Sequence, residues 1–169
     1  MRAYPTCGDE IRQIRRISLD VDPSKLRINN TGYDHRFAKE DHNANLPLDR
    51  LSELVEDGTL GSLAEETLVL MGLQPNVGPL IRETVPEVVA SFKADDVEAA
   101  LLVPSGPVCH QTESLSARGL EEAGIPTALV SDMPGLSRVA RPARHVMRRR
   151  KSGAAGGRRP ADRSLRALH

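Results

Sequence analysis

Residues 106–112, GPVCHQT, set a thiol beside an imidazole, directly after an apolar run and directly before a helical pattern. The thiolate is the reactive form of cysteine. A cysteine in the first turn of a helix meets the positive end of the macrodipole and the unpaired backbone N–H groups, and both favour that form. Cys109 is therefore placed for nucleophilic chemistry, and a depressed pKa with an accessible sulfur is the expectation. His110 follows directly, but neighbours in a helical turn point in different directions, so adjacency alone makes no Cys–His pair. A plainer alternative stays open, in which Cys109 packs as a small apolar residue beneath a strand end and His110 is a solvated loop residue. The candidate catalytic residues are Cys109 and His110.

A second group, in YDHRFAKEDHN, brings together Asp34, His35, Asp41 and His42, which are ligand types that zinc or iron accepts. Their spacing matches no metal pattern, so a polar surface loop without a metal is expected. The other cysteine, Cys7, lies near the terminus and receives no role. Two cysteines make a disulfide scaffold implausible, and a reducing compartment keeps both as thiols.

The elements around GPVCHQT are the clearest in the chain. VEAALLVP (97–104) reads as a buried strand, TESLSARGLEEAG (112–124) as a helix with a glycine stop, and IPTALVS (125–131) as a second strand. This is a β-α-β unit with parallel strands, and in open α/β sheets ligands gather at the carboxyl ends of strands, where GPVCHQT falls. Upstream, Ile11, Ile14 and Ile17 recur at a spacing of three before Asp20 to Pro23 stops any helix. LRIN (26–29) suggests a short strand followed by an Asn30-Thr31-Gly32 turn. Pro47, Leu48, Leu51, Leu54 and Val55 predict a helix ended by Gly58. ETLVLMG (66–72) is compatible with a buried strand. Asn76 can cap a helix carrying Val77, Leu80, Ile81, Val85, Val88, Val89 and Phe92 on one face, which Pro86 should kink or split.

The expected fold class is α/β, a Rossmann/flavodoxin-like parallel sheet with flanking helices over residues 1–145. A disordered, Arg-rich tail is expected over 146–169. A length of 169 residues suits one domain, and with 2% aromatics and no tryptophan its core must be aliphatic. No apolar run approaches the roughly 20 residues that cross a bilayer. MRAYPTCGDE lacks the apolar stretch of a signal peptide, so a cytoplasmic location and no membrane partner are expected. The neutral total hides a split: residues 1–137 hold 12 Lys+Arg against 22 Asp+Glu, and residues 138–169 hold 11 against Asp162 alone. The basic tail lacks interleaved aromatics, so no specific nucleic-acid partner is expected, only weak salt-sensitive attraction to polyanions.

SLDVDPSKLRINNTGYDHRFAKEDHNANLPLDRLSELVEDGTLGSL and KADDVEAALLVPSGPVCHQTESLSARGLEEAGIPTALVS resemble the selenoprotein B family of the glycine, sarcosine, betaine and D-proline reductases. The resemblance runs from about Gly8 to Arg144. Its specific parts are the YDH…N…PLDRL and PVCHQT…LEEAGIPT segments. It implies reductive cleavage of a carbon–nitrogen bond next to a carboxylate. A partner subunit carries a pyruvoyl group that holds a small amine or amino-acid substrate as an iminium. The B-type subunit, binding no cofactor of its own, supplies a selenolate or thiolate that attacks the activated carbon. A second thiol then resolves the adduct.

The family pattern has selenocysteine or cysteine, then Pro, Val and Cys. Here Gly106 occupies the first position, Cys109 matches the second thiol, and His110, Gln111 and Thr112 match the flank. Either Cys109 has taken over, or the activity is lost, or a single base has changed the selenocysteine codon to a glycine codon. Met1 is expected to fall inside the family pattern rather than at its start, and the Arg-rich tail to be a frameshift product. The implied function is that of a subunit of a glycine/betaine/sarcosine/D-proline reductase-type oxidoreductase. The alternative is a non-catalytic α/β binding or scaffold protein that keeps the fold.

Overall fold

The computed structural model describes residues 13–27 and 36–147. Strand β1 (Arg15–Ser18) pairs antiparallel with β2 (Glu66–Val69), Arg15 opposite Val69 and Ser18 opposite Glu66. Ile17 therefore lies in a strand rather than on a helical face, because pairing with a segment about fifty residues away outweighs the local spacing. Leu26 and Arg27 form no regular structure, and the remainder of the expected LRIN strand and its turn lie outside the described residues. The expected buried strand at 66–72 is shorter and more open than its composition suggests. Among the described residues β2 has a partner on one edge only, in a two-stranded sheet, and Val69 is exposed.

Between these strands come the short helix α1 (Arg36–Glu40), a 3-10 turn over His42–Ala44, and α2 (Leu48–Glu56). Pro47 precedes α2 as its cap rather than entering its first turn. Further on, a single turn α3 (Val77–Pro79) is capped by Asn76, whose side chain accepts the Gly78 N–H at 2.9 Å. A π-helical turn over Leu80–Thr84 then leads into α4 (Val85–Ala94), with Pro86 in its first turn. Pro86 has no N–H to donate to the carbonyl one turn back, and the chain answers with one wider turn rather than a break.

The second sheet carries the core. β3 (Ala100–Leu102), β4 (Thr127–Ser131) and β5 (His145–Met147) are all parallel and lie in that order, joined through α5 (Pro107–Glu122) and α6 (Pro134–Ala140). Val88, Leu102, Ala117, Leu120, Ile125 and Leu129 form one buried aliphatic cluster, onto which Ile14, Leu68 and Leu70 pack from the antiparallel side. Burying each such leucine contributes roughly 2 kcal/mol. α5 begins at Pro107, five residues before its expected start, because proline suits the first helical position. At Gly119 a Cβ would collide with Cγ1 of Val85, so the absence of a side chain lets α5 and the start of α4 meet at close range.

β5 crosses the expected boundary at 145/146, with Val146 opposite Val130. The rest of the expected tail, residues 148–169, lies outside the described residues, as do Cys7, Asp34 and His35. Among the described residues no helix is long and apolar enough to cross a membrane.

Candidate functional site

GPVCHQT forms the first turn and a half of α5, at the carboxyl end of β3. Gly106 is the N-cap, with φ −152° and ψ 174°, an extended conformation open to any residue. Pro107, Val108 and Cys109 follow as the first three helical positions. Gly72 lies directly against Cys109: a Cβ there would collide with Sγ and come within 2.8 Å of the cysteine Cα and Cβ. The Gly72 carbonyl is fixed in turn by the Thr112 hydroxyl, which donates to it at 2.7 Å. Bare backbone thus covers one side of the thiol while the other stays partly open.

This cover decides the acidity of the sulfur. Burial pushes the Cys109 thiol up, backbone groups of Gly106 and Ser105 pull it part of the way down, and the charge of Glu113 raises it again. The expected depression is not found. The helix start acts as anticipated, but water excluded by Gly72 and its surroundings outweighs it.

His110 is completely buried, which overturns the reading of it as a solvated loop residue. Its Nδ1 lies 2.7 Å from the Gly106 carbonyl oxygen, and since a carbonyl only accepts, Nδ1 carries the proton and donates it. Nε2 lies 3.0 Å from Oδ1 of Asp132, the residue after β4. That is an ion-pair distance, but the approach lies off the hydrogen-bond line and leaves Nε2 without a hydrogen-bond partner. Nε2 thus faces the Asp132 carboxylate inside the protein, turned away from solvent. Both ring nitrogens are therefore committed to the loop and the strand end, and neither serves as a base for the thiol.

The buried face of α5 is unusually polar around these groups. The Ser114 and Ser116 hydroxyls donate to the His110 and Thr112 carbonyls at 2.6 and 3.0 Å, which satisfies them inside the helix. Below Asp132, Ser131 and Ser137 join β4 to α6 through a 2.8 Å hydroxyl contact, and Ser131 also accepts the Met133 N–H. Glu113 lies one turn after Cys109 and is half-buried; crowding by protein lifts its carboxyl to about 7 although part of its surface stays open.

Of the second group, Asp41 caps the 3-10 turn by accepting the Asn43 N–H at 2.9 Å, and His42 Nε2 lies 3.4 Å from Asp49 Oδ1. No cluster of three or more possible metal ligands occurs among the described residues. Sequence reasoning missed Asp132, Glu113 and Gly72. The first two had signals: a carboxylate just past a parallel strand's carboxyl end, and one four residues on from a helical cysteine. Gly72 had none, being brought to the thiol only by the tertiary fold.

The architecture is thus that of a mixed α/β protein with a cysteine in the helical turn after a parallel strand. Its sequence matches the pattern of the glycine/sarcosine/betaine reductase selenoprotein B family over residues 11–105, more than half of the chain, and the chain belongs to that family. The matched stretch ends one residue before Gly106, so α5 lies beyond it. Among characterised proteins the chain is 29% identical over 124 residues to the D-proline reductase subunit gamma of Acetoanaerobium sticklandii, covering 73% of this chain and 51% of the relative. It is 27% identical over 106 residues to the glycine reductase complex component B subunit gamma of Symbiobacterium thermophilum, covering 63% of this chain and 24% of the relative. The chain thus spans about half the length of the first relative and about a quarter of the second. No solved structure is significantly similar to it.

Proposed function

We propose that the chain is a cytoplasmic subunit of an amino-acid reductase of the glycine, sarcosine, betaine or D-proline type. In this reading it acts with a partner subunit in the reductive cleavage of a carbon–nitrogen bond. The partner carries a pyruvoyl group, whose carbonyl accepts the substrate amine; this chain contributes sulfur. The observation that carries the proposal is the partly open Cys109 in the first turn of α5, at the carboxyl end of a parallel sheet, in a chain of this family.

The turn explains why the family pattern spaces its two chalcogens as it does. A side chain at an N-cap accepts the backbone N–H of the second or third helical residue, so a sulfur or selenium at position 106 would be held in its anionic form by Val108 or Cys109. Cys109 lies over the same turn, where it can resolve an adduct formed there. His110 works from behind, by fixing the Gly106 carbonyl to the end of β4 through Asp132. With Gly106 in the first position, Cys109 is the sulfur of this turn and the nucleophile of the reading.

A non-catalytic binding or scaffold role is favoured by two observations: Gly106 has no side chain, and burial holds the Cys109 thiol high. The two readings separate in one experiment. The chain is purified together with a pyruvoyl-bearing partner subunit, and dithiothreitol-driven cleavage of glycine and of D-proline is measured for wild type, Cys109→Ser and Gly106→Cys. The reductase reading expects slow turnover that Cys109→Ser abolishes and Gly106→Cys raises, since the backbone at 106 is extended and open to any residue. Absence of turnover in both wild type and Gly106→Cys would leave the scaffold reading.

A further inference from the structure

The helical run over 77–94 and α5 meet where Gly119 lies against Val85, and they leave a groove on their outer side. One wall is Ile81, Val85 and Val89, the other Leu115, Gly119 and Ala123, each row repeating every four residues and so keeping to one helix face. The second wall is low, because glycine and alanine raise little or nothing above the α5 backbone. Ile81 at the margin is 50% exposed, and Val77, one turn earlier, 45%. A single exposed isoleucine is ordinary, but an exposed apolar row beside an apolar groove marks a place where another surface rests. Arg118 and Glu122 stand on the α5 side of this groove. Both are exposed, and among the described residues neither makes an ion pair or a hydrogen bond.

These two charges decide what fits. They stand one turn apart with opposite sign, so a surface of one sign would satisfy one and oppose the other. Two copies of α5 laid antiparallel across a two-fold axis satisfy both. With the axis at the level of residue 120, Arg118 of each copy falls opposite Glu122 of the other, and a single operation forms both pairs, as an isologous contact requires. Leu120 itself points the other way, into the core, so the axis passes on the open side of the helix. Leu115 of each copy then reaches the end of the other α5, where the small Ala123 and Gly124 leave room for it. The final segment of the chain does not match the groove: residues 148–169 carry 8 Lys+Arg against Asp162, and their apolar residues are mostly alanine.

We infer that the groove between α4 and α5 is a docking surface for a second copy of this chain, with Arg118 and Glu122 setting the register. The apolar walls supply the attraction and the charges the alignment, since exposed ion pairs add little on their own. The axis lies roughly 16 Å along α5 from Cys109. The pairing therefore leaves the Cys109 turn open, and it does not depend on the reductase reading.

Sedimentation of the full chain from about 1 to about 200 µM measures the association. Wild type is expected to double its mass within that range. Arg118→Glu sets acid against acid at both crossings and Glu122→Arg sets base against base, and each variant is expected to associate at least roughly tenfold more weakly. Mixed in equal amounts, the two variants regain wild-type association, since the acids of one meet the bases of the other. The double variant Arg118→Glu/Glu122→Arg regains it alone. Circular dichroism is expected to be unchanged throughout, both positions being exposed. A wild-type chain that stays monomeric would overturn the inference and leave the groove to another segment of the chain or to the partner subunit. Single variants that associate like wild type would overturn it as well, and so would a loss that neither mixing nor the double variant repairs.

Discussion

Among the described residues two histidine–aspartate pairs occur, and they differ in everything except composition. His42 and Asp49 meet at 3.4 Å at the start of α2, with side-chain exposures of 24% and 52%. His110 and Asp132 meet at 3.0 Å with exposures of 0% and 21%. The first joins residues seven apart in sequence, next to an Asn43 side chain that already bonds both Asp41 and Asp49. The second ties the first turn of a long helix to the end of the neighbouring strand. Water reaches the half-exposed Asp49 carboxylate of the first pair, although His42 Nε2 itself is buried, whereas Asp132 faces a ring with no solvent exposure at all. A pairing of residue types therefore carries no weight in itself; its worth comes from what its loss would leave stranded.

The sharpest way to break this contrast is to remove the acid from each pair. Asp132→Ala leaves a buried His110 with one nitrogen unanswered, and about 3–5 kcal/mol of stability is expected to go, nearer the lower figure because Asp132 is partly open. Urea unfolding at neutral pH measures it. Asp132→Asn keeps the shape but offers an amide in place of the charge. The ring keeps its Nδ1 bond to Gly106 and a polar neighbour at Nε2, so a smaller loss than that of Asp132→Ala is expected in the same urea series. If Asp132→Ala proves as mild as a surface substitution, the contrast fails.

pH sharpens the comparison because the two regions respond with opposite sign. Glu113 has a folded pKa raised from 4.5 to about 7, so between those values the folded chain keeps a proton that the unfolded chain has lost. Its stabilising share is complete below about pH 4.5, declines as pH rises through the window, and is gone above about pH 7, a loss on the order of 3 kcal/mol. Glu113→Gln removes that slope, so the variant is expected to be more stable than wild type at pH 8 and similar to it at pH 4.5. Asp49 moves the other way. The Asn43 side chain, with a smaller contribution from His42, holds its carboxyl below the ordinary value, and that stability is lost as pH falls through the lowered pKa. Thermal melts of wild type and Glu113→Gln at several pH values separate the two slopes.

Why one pair could be anticipated and the other not is a matter of range. The β3-α5-β4 unit is legible because continuous aliphatic runs and a glycine stop are local signals, and the position of Cys109 in a helical turn follows from them. Pro86 announces the widened turn for the same reason, since a missing N–H is a property of one residue. β1 and β5 are illegible because RRIS and HVM have no pattern of their own and become strands only by pairing with β2 and β4. The burial of His110 and the raised thiol pKa were hidden for a related reason. Helix position fixes the dipole a cysteine meets, but desolvation depends on what the rest of the chain lays over it, and here that is Gly72, distant in sequence.

The last and mildest tests compare these coverings. At Gly72 a methyl group would press on the Cys109 Cα as well as its sulfur, and backbone cannot rotate away, so Gly72→Ala is expected to cost about 1–3 kcal/mol. The strain is relieved by opening the contact between the end of β2 and α5, which readmits water to the thiol. Alkylation of Cys109 should accordingly speed up and its midpoint fall, although the substitution adds bulk beside the sulfur. A slower reaction would mean that the methyl simply covers the thiol and that Gly72 does not govern its hydration. At the exposed pair the corresponding change, Asp49→Asn, removes an ion pair half open to water and keeps a group able to bond Asn43. It is expected to alter stability by less than about 1 kcal/mol, with an effect that fades further in high salt. A larger and salt-insensitive loss would show that the surface pair holds α2 in place after all, and would erase the distinction from which these expectations start.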